Sequence, residues 1–243
     1  MNLVVDVGNT LVKFAVFEEN TLLHKETCII SDFKKILEKI AFDFPNIQKA
    51  AIGIVGGFSS KNVDRLKKLY TLYTITSETK MPFVNAYKTP TSLGIDRIAL
   101  ATAAFKTYPN KDVLIIDVGT CITYDFINAE GIYKGGAISP GINMRYKALH
   151  TFTERLPLLD VNIPKDILGN STATSIHSGV QFGVAFEIDG VIARYKEDFK
   201  DLTVILTGGN AHFLRDTIKN SIFANSNFLL EGLNYLLEFN QDT

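Results

Sequence analysis

Two short stretches of this 243-residue chain share a pattern that suits phosphate chemistry. Asp6-Val7-Gly8-Asn9-Thr10 and Asp117-Val118-Gly119-Thr120 each end a β-rich run with an acid, an apolar residue, a glycine and a small polar residue. A glycine there lets a hairpin turn tightly and brings backbone N–H groups close to a phosphate, while Asn9, Thr10 and Lys13 add side-chain donors. Asp6 and Asp117 stand where a carboxylate can meet a bound magnesium ion. A single turn of this kind also makes an ordinary hairpin. Two at matching positions predict a duplicated fold in which the turns hold the β- and γ-phosphates between them. A third glycine site, Thr207-Gly208-Gly209-Asn210, follows a β-rich run and suits either a loop against the adenosine or α-phosphate, or a plain strand-to-helix turn. No GxxxxGK(S/T) occurs, and no GxGxxG opens a helix, so Walker-type and dinucleotide folds are not indicated.

The elements that must carry these turns repeat as well. Asp6 and Asp117 are 111 residues apart, a domain-sized period and not that of a solenoid. In each copy the turn leads into a β-rich run (residues 11–17 and 122–127), a second turn (Glu18-Glu19-Asn20 and Asn128-Ala129-Glu130-Gly131) and another short strand. Each half therefore opens on a three-stranded meander. Apolar spacing then predicts helices over 32–44 and 60–70 around a strand at 50–55, and a helix over 143–155. It further predicts a long helix from 171 to about 195 interrupted by its glycines, a strand at 202–207, and helices over 211–219 and 228–239. This layering is α/β: two duplicated halves, each a mixed sheet flanked by helices. Turn residues at Tyr108-Pro109-Asn110-Lys111 set the boundary, dividing the chain into 1–110 and 111–243.

Composition excludes several classes. With 46% hydrophobic and 21% charged residues the chain can bury one large core or two smaller ones. Lys and Arg total 25 against 26 Asp and Glu, so there is no basic surplus to neutralise a nucleic-acid backbone. Asp6 interrupts the N-terminal apolar stretch where a secretory leader would need it, and apolar runs such as Val113-Leu114-Ile115-Ile116 are of strand length. The expectation is a cytoplasmic chain with no membrane and no nucleic-acid partner. Cys28 and Cys121 are far apart and read as small buried hydrophobes in a reducing compartment. His24, His150, His177 and His212 lack paired-ligand spacing and read as structural or surface residues. Ser139 has no Gly-x-Ser-x-Gly elbow around it, so Pro140 and Gly141 are read as shaping a loop.

Four separated motifs carry a specific resemblance: Asp6-Val7-Gly8-Asn9-Thr10, Gly94-Ile95-Asp96-Arg97, Asp117-Val118-Gly119-Thr120 and Gly135-Gly136-Ala137-Ile138-Ser139-Pro140-Gly141. In this order they resemble the type III pantothenate kinases of the acetate/sugar kinase and actin superfamily. The likeness extends to Tyr87-x-x-Pro90, Leu156-Pro157, Gly169 through Thr172 to Ser178-Gly179, Thr207-Gly208-Gly209 and Leu230-Glu231-Gly232-Leu233.

The resemblance implies ribonuclease H-like/actin-like half-domains and ATP-dependent phosphorylation of pantothenate, the first step of coenzyme A biosynthesis. It puts the first phosphate turn and the substrate loop in residues 1–110, and the second turn and the adenosine loop in 111–243. It implies Asp96 as acceptor of the proton from the pantothenate hydroxyl. An ordinary Asp, with a pKa of about 4, cannot deprotonate an alcohol outright; its use is to aim the oxygen and take the proton as it leaves late in a loose transition state. Further carried over are Asp6, Val7, Gly8, Asn9, Thr10, Leu11, Val12, Lys13 and Thr120 for ATP, and Tyr87, Gly94, Ile95, Asp96, Arg97 and Thr172 for the substrate. Asp117 is carried over as a metal ligand, with magnesium and a monovalent cation, potassium or ammonium, as cofactors. One carboxylate does not distinguish a potassium ligand from a partner of magnesium. A homodimer follows from the likeness too, with the apolar stretch 182–192 offering a packing surface.

The chain departs from the family pattern at Cys121, often alanine there, and at Ile54-Val55-Gly56-Gly57-Phe58-Ser59-Ser60, where many relatives have a Ser-Ser-Val-type segment. Arg97 has a second reading as a surface ion-pair partner of Asp96. Two rival functions remain open: another small-molecule kinase or phosphatase of the superfamily, and a nucleotide-binding regulator without turnover.

Overall fold

Gly8 closes the first hairpin: its N–H donates to the Leu11 carbonyl at 3.0 Å, joining β1 (Asn2–Val7) to β2 (Leu11–Glu18). A tight turn through Glu19, at φ 53°, leads into β3 (Thr21–Ile29). The chain continues through α1 (Phe33–Asp43), β4 (Lys49–Ile54), α2 (Ser60–Leu69), β5 (Thr71–Ile75), the two-residue β6 (Val84–Asn85) and α3 (Ile95–Thr107). A second series follows with β7 (Val113–Val118), β8 (Cys121–Ile127), β9 (Ile132–Pro140), α4 (Ile142–Thr151), α5 (Thr172–Asp198), β10 (Thr203–Thr207), β11 (Phe223–Ala224) and α6 (Phe228–Phe239). The computed structural model describes residues 1–214 and 217–241. Two compact units result: Met1–Thr107 together with the chain from Asn227 onward, and Tyr108–Ser226.

The first unit holds one sheet in the order β3-β2-β1-β4-β5, antiparallel through the meander and parallel from β1 to β4 and β5. In the second unit the corresponding order is β9-β8-β7-β10-β11, with the same antiparallel and parallel pairings. The duplication legible in the sequence is therefore a duplication of topology. In the first unit Leu3, Val5, Val7, Val12, Phe14 and Val16 are fully buried with Phe33, Leu37 and Ile40 of α1 and Leu66 of α2. In the second, Leu114, Ile116, Val118 and Ile122 pack with Ile142 and Tyr146 of α4 and with the apolar face of α5.

Three expectations change. Sequence order had put residues 228–239 in the second half, yet α6 belongs to the first unit. Gly232 permits this, since a methyl group there would sit 1.9 Å from the Ala99 carbonyl oxygen, so only a glycine lets α6 press on α3. The long helix is not interrupted: α5 runs unbroken from Thr172 to Asp198. A glycine in a helix costs about 1 kcal/mol relative to alanine, whereas burying one Val or Ile contributes about 1.5–3 kcal/mol. Ile176, Val180, Val184, Ile188 and Ile192 all bury the same face, so burial prevails. Of the helix expected over 211–219, the described residues show a single turn of tighter helix, Ala211–Phe213; residues 215 and 216 lie outside the described chain. The Asp189 carboxylate accepts the backbone N–H groups of Lys219 and Asn220, at 3.0 and 3.1 Å, and pulls that end off a helical path.

Candidate active site

The first phosphate turn is built on a charge pair. Strand register sets Asp6 opposite Lys13, and Lys13 Nζ donates to Asp6 Oδ2 at 3.0 Å. Asp6 is 6% exposed, so its carboxylate is held by the strand and has little freedom to wander. Asn9 and Thr10 are exposed at the tip of the turn. Val7 and Val12 are completely buried in the core, so those two positions can meet a ligand only through their backbone. Leu11 is exposed.

The segment that departs from the family pattern lies against this turn. Val55 N–H donates to the Val7 carbonyl at 2.9 Å, and a methyl group on Gly56 would come within 2.8 Å of the Gly8 carbonyl oxygen. The Ile54–Gly56 segment thus forms the floor under the phosphate turn, a role its altered sequence did not disclose.

Beside it stands the start of α3. Gly94 accepts the first helical bond, from Ile98 N–H at 3.1 Å, and places Asp96 in the first turn of the helix. The Asp96 Oδ1 accepts the Arg97 N–H at 2.9 Å. Burial pushes the Asp96 carboxyl above its ordinary range; the Arg97 N–H and guanidinium act to lower it, and the nearby Asp6 charge raises it further. Asp6 and Asp96, 90 residues apart in sequence, therefore share one electrostatic environment within the first unit. Arg97 is 5% exposed, which rules out the surface ion-pair reading, and its guanidinium lies 5.5 Å from the centre of the Tyr87 ring, within cation–π range. Ile95 is half-buried and packs toward Gly53 of β4.

The second turn belongs to the other unit and differs in length. Val7 pairs with Val12, but Val118 pairs with Ile122, so the second turn is one residue shorter and Asp117 faces Thr123 where Asp6 faces a lysine. Thr123 is 8% exposed and its Oγ1 has no hydrogen-bond partner among the described residues. A carboxylate and a buried hydroxyl oxygen on one face of a strand pair are hard oxygen donors of the kind a cation takes. Among the described residues no cluster of three or more His, Cys, Asp or Glu converges as a metal site; magnesium needs fewer, since it binds through one or two carboxylates plus substrate phosphates. The residues present thus fit both kinds of cation.

Two glycines pack on this turn. Gly208, at φ 97°, comes so near that a methyl group there would lie 2.3 Å from Asp117 Oδ1, and the next loop residues tie down the strand end, Asn210 N–H donating to the Val118 carbonyl at 3.0 Å. Gly141, which caps the start of α4, donates to the Thr120 carbonyl at 3.2 Å. Thr120 itself is exposed. Thr172 follows the Ser171 cap of α5, whose side chain accepts the Thr174 N–H at 3.2 Å. It lines an open, mainly apolar groove of about 920 Å³ between α4 and α5, with Arg145, Leu149, Phe152, Ile176 and Val180.

Asp6, Lys13, Tyr87, Gly94, Asp96 and Arg97 are thus gathered in the first unit, and Asp117, Thr120 and Thr172 belong to the second. The histidines have local partners: His24 meets Glu26, His177 meets the Tyr146 hydroxyl, and His150 and His212 meet backbone carbonyls. Gly56, Thr123 and Asn210 were not singled out for the site by their sequence. Asn210 stood in the third glycine motif and Gly56 in the segment that departs from the family pattern, and Thr123 becomes visible once strand register is known.

Comparison with known proteins identifies the family and the fold. The family model described as type III pantothenate kinase matches residues 2–194. A type III pantothenate kinase of Christiangramia forsetii is 50% identical over 241 residues, covering 99% of each chain. Among solved structures, a Baf-family protein of Campylobacter jejuni superposes with a TM-score of 0.65 at 24% identity, over 99% of this chain and 100% of the other. A ROK-family glucokinase of Streptomyces griseus superposes with a TM-score of 0.53 at 11% identity, over 100% and 99%. The fold is thus that of the actin-like sugar kinases.

Proposed function

The chain belongs to the type III pantothenate kinases, phosphorylating pantothenate with ATP in coenzyme A biosynthesis, and on that premise we propose that Asp96 is the base that receives the hydroxyl proton. The observation that carries this is the position of Asp96. It sits in the first turn of α3, with one carboxylate oxygen engaged by the Arg97 N–H and the pair of residues set beside the phosphate turn at Asp6. The second oxygen then aims the pantothenate hydroxyl for in-line attack on the γ-phosphorus. As the O–P bond forms and the bond to the ADP leaving oxygen breaks, the hydroxyl proton passes to Asp96. A carboxyl raised above its usual range is a better match for that late proton than an exposed one.

Tyr87, Gly94, Ile95 and Arg97 form the wall for the acceptor, and Arg97 supplies a fixed cation suited to a carboxylate. Thr172, a substrate contact by the family likeness, belongs to the second unit. Asn9, Thr10 and Lys13, with the backbone of residues 6–12, hold phosphate oxygens of ATP, and Thr120 adds a further nucleotide contact. Lys13 exchanges part of its pairing with Asp6 for a phosphate oxygen. Asp6 would accompany magnesium, and Asp117 with Thr123 would hold a monovalent cation; such cations would supply neutralisation of phosphate charge.

A cytoplasmic homodimer completes the reading. Phe182 and Phe186 stack on α5 with ring centres 6.0 Å apart, Phe186 is half exposed, and Gly179, Gly183 and Gly190 leave open space along the helix, features that suit a second helix packing there. No helix among the described residues is long and apolar enough to cross a membrane. Coupled measurement of ADP release, with and without pantothenate, tests the activity. ADP formed at the same rate without an acceptor would refute the kinase reading in favour of an ATPase.

A further inference from the structure

A half-buried charge network stands next to the second phosphate turn. Arg145, on the first turn of α4, donates from Nε to the Pro140 carbonyl at 2.9 Å and from a terminal nitrogen to the Ser139 hydroxyl at 3.1 Å. The same nitrogen donates to Glu187 Oε2 at 2.5 Å. Glu187 Oε1 accepts from the Tyr124 hydroxyl at 2.8 Å, so both carboxylate oxygens are engaged. Burial acts to raise the Glu187 carboxyl, but hydrogen bonds from Arg145, Ser139 and Tyr124 outweigh it and hold the group below its ordinary range. Burial, the Glu187 hydrogen bond and its charge in turn push the Tyr124 hydroxyl up.

What this network grips is the corner between β9 and α4. Ser139 pairs with Ile122 and Pro140 with Cys121, directly after the second phosphate turn. Gly141 continues the contact: its N–H donates to the Thr120 carbonyl, and a methyl group on it would lie 2.3 Å from that oxygen and 2.6 Å from the Gly119 carbonyl oxygen. The corner is thus a close-fitting backing for residues 119–121, and Arg145 ties both Ser139 and Pro140 to the α5 carboxylate. Its planar fork reaches several acceptors in fixed directions, which a lysine cannot do.

We propose that Arg145, oriented by Glu187, is a positioning residue for ATP: it holds the Ser139–Gly141 corner against the second phosphate turn and thereby sets the backbone of Gly119 and Thr120 for the nucleotide. This rests on the reading of that turn as an ATP contact. The measurement is steady-state kinetics of Arg145→Ala, Arg145→Lys, Glu187→Gln and Thr120→Ala at a temperature well below each melting point, with oligomeric state read by light scattering. Arg145→Ala should raise the KM for ATP about tenfold or more, by a larger factor than the KM for pantothenate, and keep the wild-type oligomeric state. Arg145→Lys should recover part of the loss, and Glu187→Gln should raise the KM for ATP in the same direction but less. If Arg145→Ala fails to fold, Glu187→Gln carries the same prediction.

An unchanged KM for ATP in a folded Arg145→Ala, while Thr120→Ala raises it, would overturn the proposal and spare the ATP-contact reading. An unchanged KM for ATP in Thr120→Ala would overturn that reading and the proposal with it. A raised KM that appears only with loss of the oligomer would assign the effect to assembly and would also overturn it.

Discussion

Replacing Gly94 by alanine separates the chemistry of the site from its stability. A methyl group on Gly94 would lie 2.4 Å from Asp96 Oδ1, where ordinary contacts begin at 3.4 Å, so the carboxylate must retreat by about 1 Å. The obstacle is the end of a side chain and not backbone, and Gly94 has no positive φ, so rotation of Asp96 relieves the clash at little cost to the fold. That rotation breaks the hydrogen bond from the Arg97 N–H and moves the base away from its aimed position. A misplacement of about 1 Å costs on the order of a hundredfold in rate, about 2.7 kcal/mol of barrier. The expected outcome in a coupled ADP assay is a turnover number lower by about two orders of magnitude, with the KM for ATP within about threefold and the melting temperature nearly unchanged. Turnover within a factor of about three of wild type would refute the reasoning, because the base would then tolerate a displacement that proton transfer should not.

Asp96→Asn should lower turnover by about 10²–10⁴-fold, the contribution of a positioned base, and leave ATP binding intact by calorimetry. Because burial raises the folded-state pKa of Asp96, its ionised form opposes folding. Stability is therefore lost as pH rises from the unfolded to the raised folded pKa, and Asp96→Asn should melt higher than wild type at neutral pH but not below that window. The acidic limb of kcat/KM should lie above the ordinary carboxylate range and move down in Asp6→Asn, which removes one of the raising charges; a limb that does not move would separate the two acids. Gly56→Ala, whose methyl group would lie 2.8 Å from the Gly8 carbonyl oxygen, should raise the KM for ATP by roughly three- to tenfold without changing that for pantothenate. Gly232→Ala forces a methyl group against the Ala99 carbonyl and should cost about 1–3 kcal/mol by urea denaturation, the usual penalty of overpacking, with kinetic constants preserved in the folded fraction.

The sequence by itself determined the repeated unit: two acidic turns at the ends of β-rich runs, the meander that follows each, and the order of motifs that marks the family. These are local patterns, set by side-chain alternation and by glycine at tight turns, and they survive as β1 to β3 and β7 to β9. Four other features depended on which strands and helices become neighbours. Asp6 and Asp96 share an environment only because α3 is placed beside the end of β1. Lys13 stands opposite Asp6, and that Asp117 faces Thr123 and not Tyr124 follows from a one-residue change in turn length that an overlay at constant offset conceals. The floor that Gly56 forms under the first turn was hidden by an unfamiliar segment, because what the position requires is the absence of a Cβ and not a motif. Helix α6 joins the first unit, against sequence order, because close approach to α3 is decided by packing. Turn chemistry acts between residues close in sequence, whereas electrostatic coupling and close packing act between residues close in space, and only the folded chain brings those together.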